Sequence, residues 1–392
     1  MTPSPWQHDA GLRRVVGALV SAGGAARLVG GCVRDWRLGR PVGDLDIATT
    51  LQPAATIEAL KRAEIRPVPT GLKHGTVTAV TEGRGYEVTS LRRDVATDGR
   101  HAIVDFTEDW AEDASRRDFT VNALYADLDG AVHDPLGQGL ADLDRRELRF
   151  VGDPARRIRE DYLRILRFYR FAAQLGFYQT VEGRAASQKL ASGMARLSVE
   201  RIWQEVARLL AGPHRFPILQ RMAEDGVLEV LLPGATIPDW LERLETGDSI
   251  PALAALLSSE GDARRLGRRW KLSNDESDRL EAALGPFPAD AMDDPVPLRR
   301  LAWEAGVQAA NDRLRLAAAR LGCSPDAGLR VLADWTPPAF PLSGNHALAI
   351  GLKPGPEMGR CLKTVETWWA DRDFQPDEAA CLDELRRVAG LS

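Results

Sequence analysis

The residues best suited to chemistry lie in Leu28-Val29-Gly30-Gly31-Cys32-Val33-Arg34-Asp35 and, after a short turn, in Asp44-Leu45-Asp46-Ile47-Ala48. A glycine pair lets backbone amides close on a phosphate. Two aspartates at alternate strand positions point to one face, where they can share divalent metal. Together they describe a site for a metal nucleoside triphosphate. Asp-Leu-Asp recurs at Asp127 to Asp129 and at Asp142 to Asp144, so the triplet alone decides nothing. The first copy differs in its setting, between an apolar strand ending in Gly30-Gly31 and a second apolar run; the other copies read as surface turns.

Those residues need a sheet to position them. Residues 9–24 read as an amphipathic helix, 27–31 and 44–49 as strands, and 54–63 as a helix between sheet elements. Residues 76–80 and 86–91 alternate around Gly83 and Gly85, which predicts a hairpin whose second strand carries Glu87. A mixed sheet flanked by helices is therefore expected to about residue 150. Beyond Pro154, a residue suited to a helix start, strand patterns vanish and helical periodicity covers 155–175, 198–210 and 216–231. The expected fold class is an α+β head followed by an all-α remainder.

At 392 residues the chain exceeds one ordinary core, and 44% apolar with 27% charged residues fits a soluble globular protein of two or more domains. A net charge of -5 excludes coating of nucleic acid by bulk electrostatics, so any RNA must meet a local basic surface. Arg156, Arg157, Arg159, Arg164, Arg167 and Arg170, countered by Glu160 and Asp161, provide one. Cys32, Cys323, Cys361 and Cys381 are scattered, which indicates neither zinc nor a disulfide framework and makes a reducing cytoplasm the simplest compartment. No apolar signal core opens the chain, and no run is long enough for a membrane span.

Three motifs in order carry a resemblance. The glycine and aspartate segment is followed by Arg116-Arg117-Asp118-Phe119-Thr120-Val121-Asn122-Ala123-Leu124, then by Glu160-Asp161-Tyr162-Leu163-Arg164-Ile165-Leu166-Arg167-Phe168-Tyr169-Arg170-Phe171. The set resembles the polymerase-beta-like nucleotidyltransferase superfamily, and more closely its branch of class II CCA-adding tRNA nucleotidyltransferases and bacterial poly(A) polymerases. The resemblance spans about residues 28 to 210, and the C-terminal half matches only loosely. It implies a head at 1–150, a neck at 151–212, a body at 213–335 and a tail at 336–392.

The reaction implied is nucleotidyl transfer with magnesium held by Asp44 and Asp46, which suit a hard cation that keeps waters and bridges to phosphate. Glu87 is either a third carboxylate or an exposed strand residue. Arg34, near the start of the helix after Gly31, either places its planar fork on triphosphate or pairs with Asp35. The resemblance assigns Arg116 and Arg117 to triphosphate and Asp118 to ribose hydroxyls, with Asn122 shaping the pocket. One helical turn would project Asp161 and Arg164 together, and in the resembled family this pair bonds the Watson-Crick edge of CTP or ATP. Arg167 and Arg170 would reach phosphates or adjust that pair.

Other segments add detail. The polar stretch from Leu91-Arg92-Arg93-Asp94 through Asp98-Gly99-Arg100-His101 resembles the family's flexible loop, needed for the final adenosine, and His101 reads as a loop residue. Ser198 through Glu205 resembles the helix bracing the neck, with Ser198 as its N-cap. The segment from Leu342 to Gly359 is either a tRNA-elbow contact or a packed helix start. Gly43 and Gln138 depart from the family pattern without removing a proposed ligand.

The expected activity is template-independent addition of C, C and A to tRNA 3′ ends from CTP and ATP. Rivals are a poly(A) polymerase with the same head, a noncatalytic RNA-binding module and a small-molecule nucleotidyltransferase. The last leaves the helical half unexplained.

Overall fold

The computed structural model describes residues 4–97, 102–292 and 294–391, and these form two compact units, Met1–Gly234 and Ala235–Ser392. In the first unit, strands β1 (Ala26–Val29), β2 (Asp46–Thr49), β3 (Arg66–Gly71), β4 (Thr76–Thr81), β5 (Arg84–Ser90), β8 (Tyr125–Ala126) and β9 (Val132–His133) form one sheet in the order β3-β4-β5-β2-β1-β8-β9. The sheet is mixed: β2 runs parallel to β5 and antiparallel to β1. Strands β6 (Arg92–Thr97) and β7 (Ala102–Phe106) pair separately as a hairpin. The polar stretch expected to be a loop is strand over Arg92–Thr97; Asp98 to His101 lie outside the described residues.

Alternation decides which side of the sheet is core. Leu28, Ile47, Val77 and Val88 are fully buried on one face, beside helices Ala10–Ser21 and Pro53–Arg62. Asp9 caps the first of these by accepting from the Leu12 amide at 2.8 Å. On the opposite face Val29, Ala48 and Tyr125 pack with Leu91, Ala114, Ala123 and Val151, which brings in the short helix Trp110–Ser115. The expected 76–80 and 86–91 hairpin is present, turning at Glu82 and Gly83, both with positive φ, as a tight two-residue hairpin turn requires.

Two expectations shift. Strand β2 begins at Asp46, and Asp44 lies ahead of it, exposed, not at an alternate position of the same strand. On the β1 side the cause is that β1 stops at Val29, because Gly30 turns away at φ 76° into helix Gly31–Arg37; on the other side the pairing with β5 begins only at Asp46 and Glu87. The periodicity of 155–175 is broken into helices Pro154–Glu160 and Leu163–Leu175, with Asp161 extended between them at φ -154°. Asp161 Oδ1 accepts from the Leu163 amide at 3.1 Å, so the side chain caps the second helix instead of continuing the first.

The second helix packs on Val199–Leu210. An aromatic cluster of Phe119, Phe150, Phe168 and Phe171, with ring centroids 4.8 to 5.9 Å apart, ties the Arg-Arg-Asp-Phe motif to it. Ser198 is the N-cap of Val199–Leu210 as expected, though without a side-chain cap bond.

The second unit is helical. Leu298, Leu301, Ala310, Leu314 and Leu332 form one of its cores; Leu342, Ala347, Met358, Val365, Trp369 and Leu385 form another. Leu342 to Gly359 therefore holds the packed start of helix Pro356–Ala370. The four cysteines are free thiols, and among the described residues no helix is long and apolar enough to cross a membrane.

Candidate active site

The site is assembled where β1 and β2 end. Asp46 opens β2 in register with Glu87 of β5, and Asp44 precedes it by two residues. Burial, then the charges of Glu87 and Asp44, push the Asp46 carboxyl up to about 6, while Arg117 opposes them. Asp46 therefore feels both neighbouring carboxylates, and a cation at its carboxylate would offset that repulsion. Among the described residues no group of three His, Cys, Asp or Glu side chains closes into a metal cage. Two carboxylates completed by water and phosphate oxygens are what a magnesium-type site needs, so the donor set fits a hard divalent ion. Cys32, buried beside Asp46, has its thiol pushed up to about 11 by burial and is no competing thiolate ligand.

From Gly30 a chain of polar contacts runs across the first unit. A Cβ on Gly30 would meet Arg117 Nη1 and the Asn122 carbonyl at 3.6 Å, and the left-handed φ strains any other residue there. Arg34 is buried; Nε and Nη2 donate to the Asp35 carboxylate at 3.0 and 2.9 Å, and Nη1 donates to Asn122 Oδ1 at 2.6 Å. Asn122 Nδ2 in turn donates to Asp118 Oδ1 at 3.1 Å. Asp118 Oδ2 accepts from Arg167 Nε at 2.8 Å. Burial works against the Asp118 charge, but the Arg167 guanidinium outweighs it and holds the carboxyl at about 2. Arg170 lies 2.6 Å from Glu205, close but not aligned as a hydrogen bond, and stacks on Phe171 at 3.9 Å. Burial lowers Arg170 to about 10 despite Glu205.

Gly30, Arg34, Arg117, Asp118, Asn122 and Arg167 are thus brought together, with Asp46 within electrostatic reach of Arg117. Arg116 bonds Asp113 and faces the same hub as Arg117. Asp161 and Arg164, however, do not face one another as a pair. Asp161 Oδ2 accepts from Arg201 Nη2 at 2.6 Å, whereas Arg164 Nη1 donates to Glu160 Oε2 at 2.6 Å and to the Arg157 carbonyl at 2.9 Å. The extended backbone at Asp161 is the reason, since it removes the helical offset that would stack the two side chains.

Sequence reasoning missed Asp113, Tyr125 and Arg201. Asp113 accepts from Arg116 Nε at 2.8 Å, Arg117 Nη2 at 3.0 Å and the Tyr125 hydroxyl at 2.7 Å. The signal for it was a carboxylate three and four residues before the two arginines, the spacing of a helical ion pair. Tyr125 and Arg201 meet their partners only through the fold.

Known proteins with these features match in both sequence and shape. Residues 26–149 match the family described as "Poly A polymerase head domain", and residues 181–237 match "Probable RNA and SrmB- binding site of polymerase A". The chain is 34% identical to "CCA tRNA nucleotidyltransferase 1, mitochondrial" of Danio rerio over 92% of this chain and 86% of that protein. It is 38% identical to the CCA-adding enzyme of Geobacillus thermodenitrificans over 73% and 72% of the respective lengths. The Bacillus stearothermophilus CCA-adding enzyme, solved in complex with CTP, superposes with a TM-score of 0.78 at 29% identity, covering 98% of this chain and 99% of that one. With a glycine turn, a carboxylate cluster and an arginine network in place, and relatives aligned over nearly the whole length, the chain belongs to the CCA-adding tRNA nucleotidyltransferase family.

Proposed function

We propose that this enzyme adds C, C and A to tRNA 3′ ends, using CTP and ATP, releasing pyrophosphate and reading no nucleic-acid template. The observation that carries the reading is the continuous polar chain from Arg34 through Asn122 and Asp118 to Arg167, together with Asp46, whose carboxyl lies within electrostatic reach of Arg117, Glu87 and Asp44. In this reading Gly30, Gly31, Arg34, Arg116 and Arg117 bind the triphosphate, and Asp118 with Asn122 holds the ribose. Asp44 and Asp46 would hold magnesium, which when bound lowers the barrier by stabilising charge on the attacking and leaving oxygens. The head, neck, body and tail division given above is proposed as the functional one, with tRNA as the macromolecular partner and the cytoplasm as the compartment.

Base choice follows from hydrogen-bond polarity. Cytosine and adenine each present an amine donor beside a ring-nitrogen acceptor, so a carboxylate at Asp161 accepts from the amine while the Arg164 guanidinium donates to the ring nitrogen. Uracil and guanine present the reverse order and are refused. Arg201 anchors the Asp161 carboxylate from behind, and Arg164 must exchange Glu160 for the base.

Incubation with tRNA lacking CCA should extend it by three nucleotides and stop; long homopolymeric adenosine tails on unrelated RNA would instead identify a poly(A) polymerase. Asp161→Ala and Arg164→Ala proteins should lose about 10- to 100-fold in discrimination against UTP and GTP, the worth of one well-placed base contact. Unchanged nucleotide selectivity in both would remove these residues from base recognition.

A further inference from the structure

The sheet has a second surface that the nucleotide-binding residues leave unused. Strand register places Asp46, Glu87 and Thr78 in one row across β2, β5 and β4, and Ala48, Thr89 and Thr76 in the next. Arg66 of β3 pairs with Val80, two residues beyond Thr78 and so on the same face. Two hydroxyl pairs show the shared orientation directly: Thr76 and Thr89 Oγ1 atoms are 3.0 Å apart, and those of Thr70 and Thr78 are 2.8 Å apart. Helix Trp110–Ser115 covers the β1–β8 end of this face through Ala114 and leads directly into Arg116 and Arg117. At the β4–β5 end Thr70, Glu87 and Arg66 are exposed and Thr76, Thr78 and Thr89 are half-buried.

We propose that this threonine-bearing half of the sheet is the track on which the last riboses of the acceptor RNA lie, with the hydroxyls reading 2′-OH groups and Arg66 meeting a backbone phosphate. The proposal rests on the nucleotidyltransferase reading above. In-line transfer sets the attacking oxygen and the leaving pyrophosphate on opposite sides of the reacting phosphorus. The triphosphate residues Gly30, Arg34 and Arg117 lie on the β1–β8 side of Asp46, so the attacking 3′ hydroxyl enters from the β5–β4 side.

The chemistry of that side suits a ribose. In each threonine pair one hydroxyl proton is spent on the partner, leaving one proton and free lone pairs, the complement of a 2′-OH that both donates and accepts. Neutral hydroxyls also tolerate close approach to Glu87 and Asp46. Lysine or arginine in their place would be drawn into ion pairs with those carboxylates.

The test uses a fluorescent acceptor RNA ending in CC, with ribose or 2′-deoxyribose in its final nucleotides, and reads affinity by anisotropy without turnover. The wild type should bind the ribose form about tenfold more tightly, the order expected of one or two hydrogen bonds. A protein carrying Thr76→Val, Thr78→Val and Thr89→Val keeps the β-branched shape and should bind both RNAs equally, at the weaker value, with KM for ATP unchanged. Serine at the same three positions should restore the preference. A wild type blind to the 2′-OH, or a valine protein that keeps the preference, overturns the track. Discrimination in binding without transfer of AMP from ATP would sink the enzymatic reading and leave the track standing; transfer without discrimination would do the reverse.

Discussion

An Asp46→Asn protein should lose turnover by about 10³-fold and yet, with metal chelated at neutral pH, melt at a higher temperature than the wild type. The loss follows if Asp46 holds the proposed ion, which would contribute several kcal/mol to charge stabilisation in transfer. The gain follows from the Asp46 carboxyl being pushed up to about 6 by burial and by Glu87 and Asp44. Because its folded-state pKa lies above the unfolded one, ionising Asp46 is harder in the native protein. The penalty is absent near pH 3, grows between about 4 and 6, and is complete above 6, at about 1–3 kcal/mol. Asparagine removes it, so the melting advantage should appear above pH 6 and vanish at pH 4. Adding magnesium should stabilise the wild type by linkage and leave Asp46→Asn nearly unmoved. Calorimetry with and without chelator measures both effects. Equal melting at neutral pH, or equal stabilisation by magnesium, would move the metal site elsewhere.

What could be read from the chain alone was local. Gly30 at positive φ, Gly83 in the hairpin turn and Pro154 at a helix start are each dictated by backbone chemistry within a few residues, whereas Gly85, expected in the same turn, is paired with Val80 inside β5. The first and second motifs meet through the Arg34–Asn122 hydrogen bond, and the second and third through the Phe119 ring, which docks against Phe168 and Phe171. The break at Asp161 was illegible for a physical reason. Apolar periodicity continues through Ile158, Leu163 and Ile165, all buried, and does not register one carboxylate that prefers to cap the next helix. The partner of Asp161 was hidden differently: Arg201 lies 40 residues beyond Asp161 and reaches it only because Leu163–Leu175 packs on Val199–Leu210. Alternation alone reads Asp44 into the strand, because it does not show where pairing with the neighbouring strands begins.

Asp113→Ala should be the most destabilising single substitution near the site, costing about 3–5 kcal/mol, the range for removing one member of a buried ion pair. Asp113 is 1% exposed and accepts from Arg116, Arg117 and the Tyr125 hydroxyl, so its loss strands two guanidinium groups and a phenol. Burial alone would raise its pKa, but Arg117 and Arg116 outweigh burial and hold it at about 2. A carboxylate depressed in the folded state stabilises above its unfolded pKa, and that contribution fades as pH falls from about 4 through 2. The gap between wild type and Asp113→Ala in urea unfolding should therefore be widest at neutral pH and narrow toward pH 2–3. Asp113→Asn keeps an acceptor for one guanidinium and should fall between them. Arg117 also lies against Gly30 and stacks on Tyr125 at 5.3 Å, so freeing it should raise KM for CTP about tenfold even where the protein remains folded. If Asp113→Ala unfolds within about 1 kcal/mol of the wild type, the two arginines are held by something other than this carboxylate, and its place as the hub of Arg116 and Arg117 is lost.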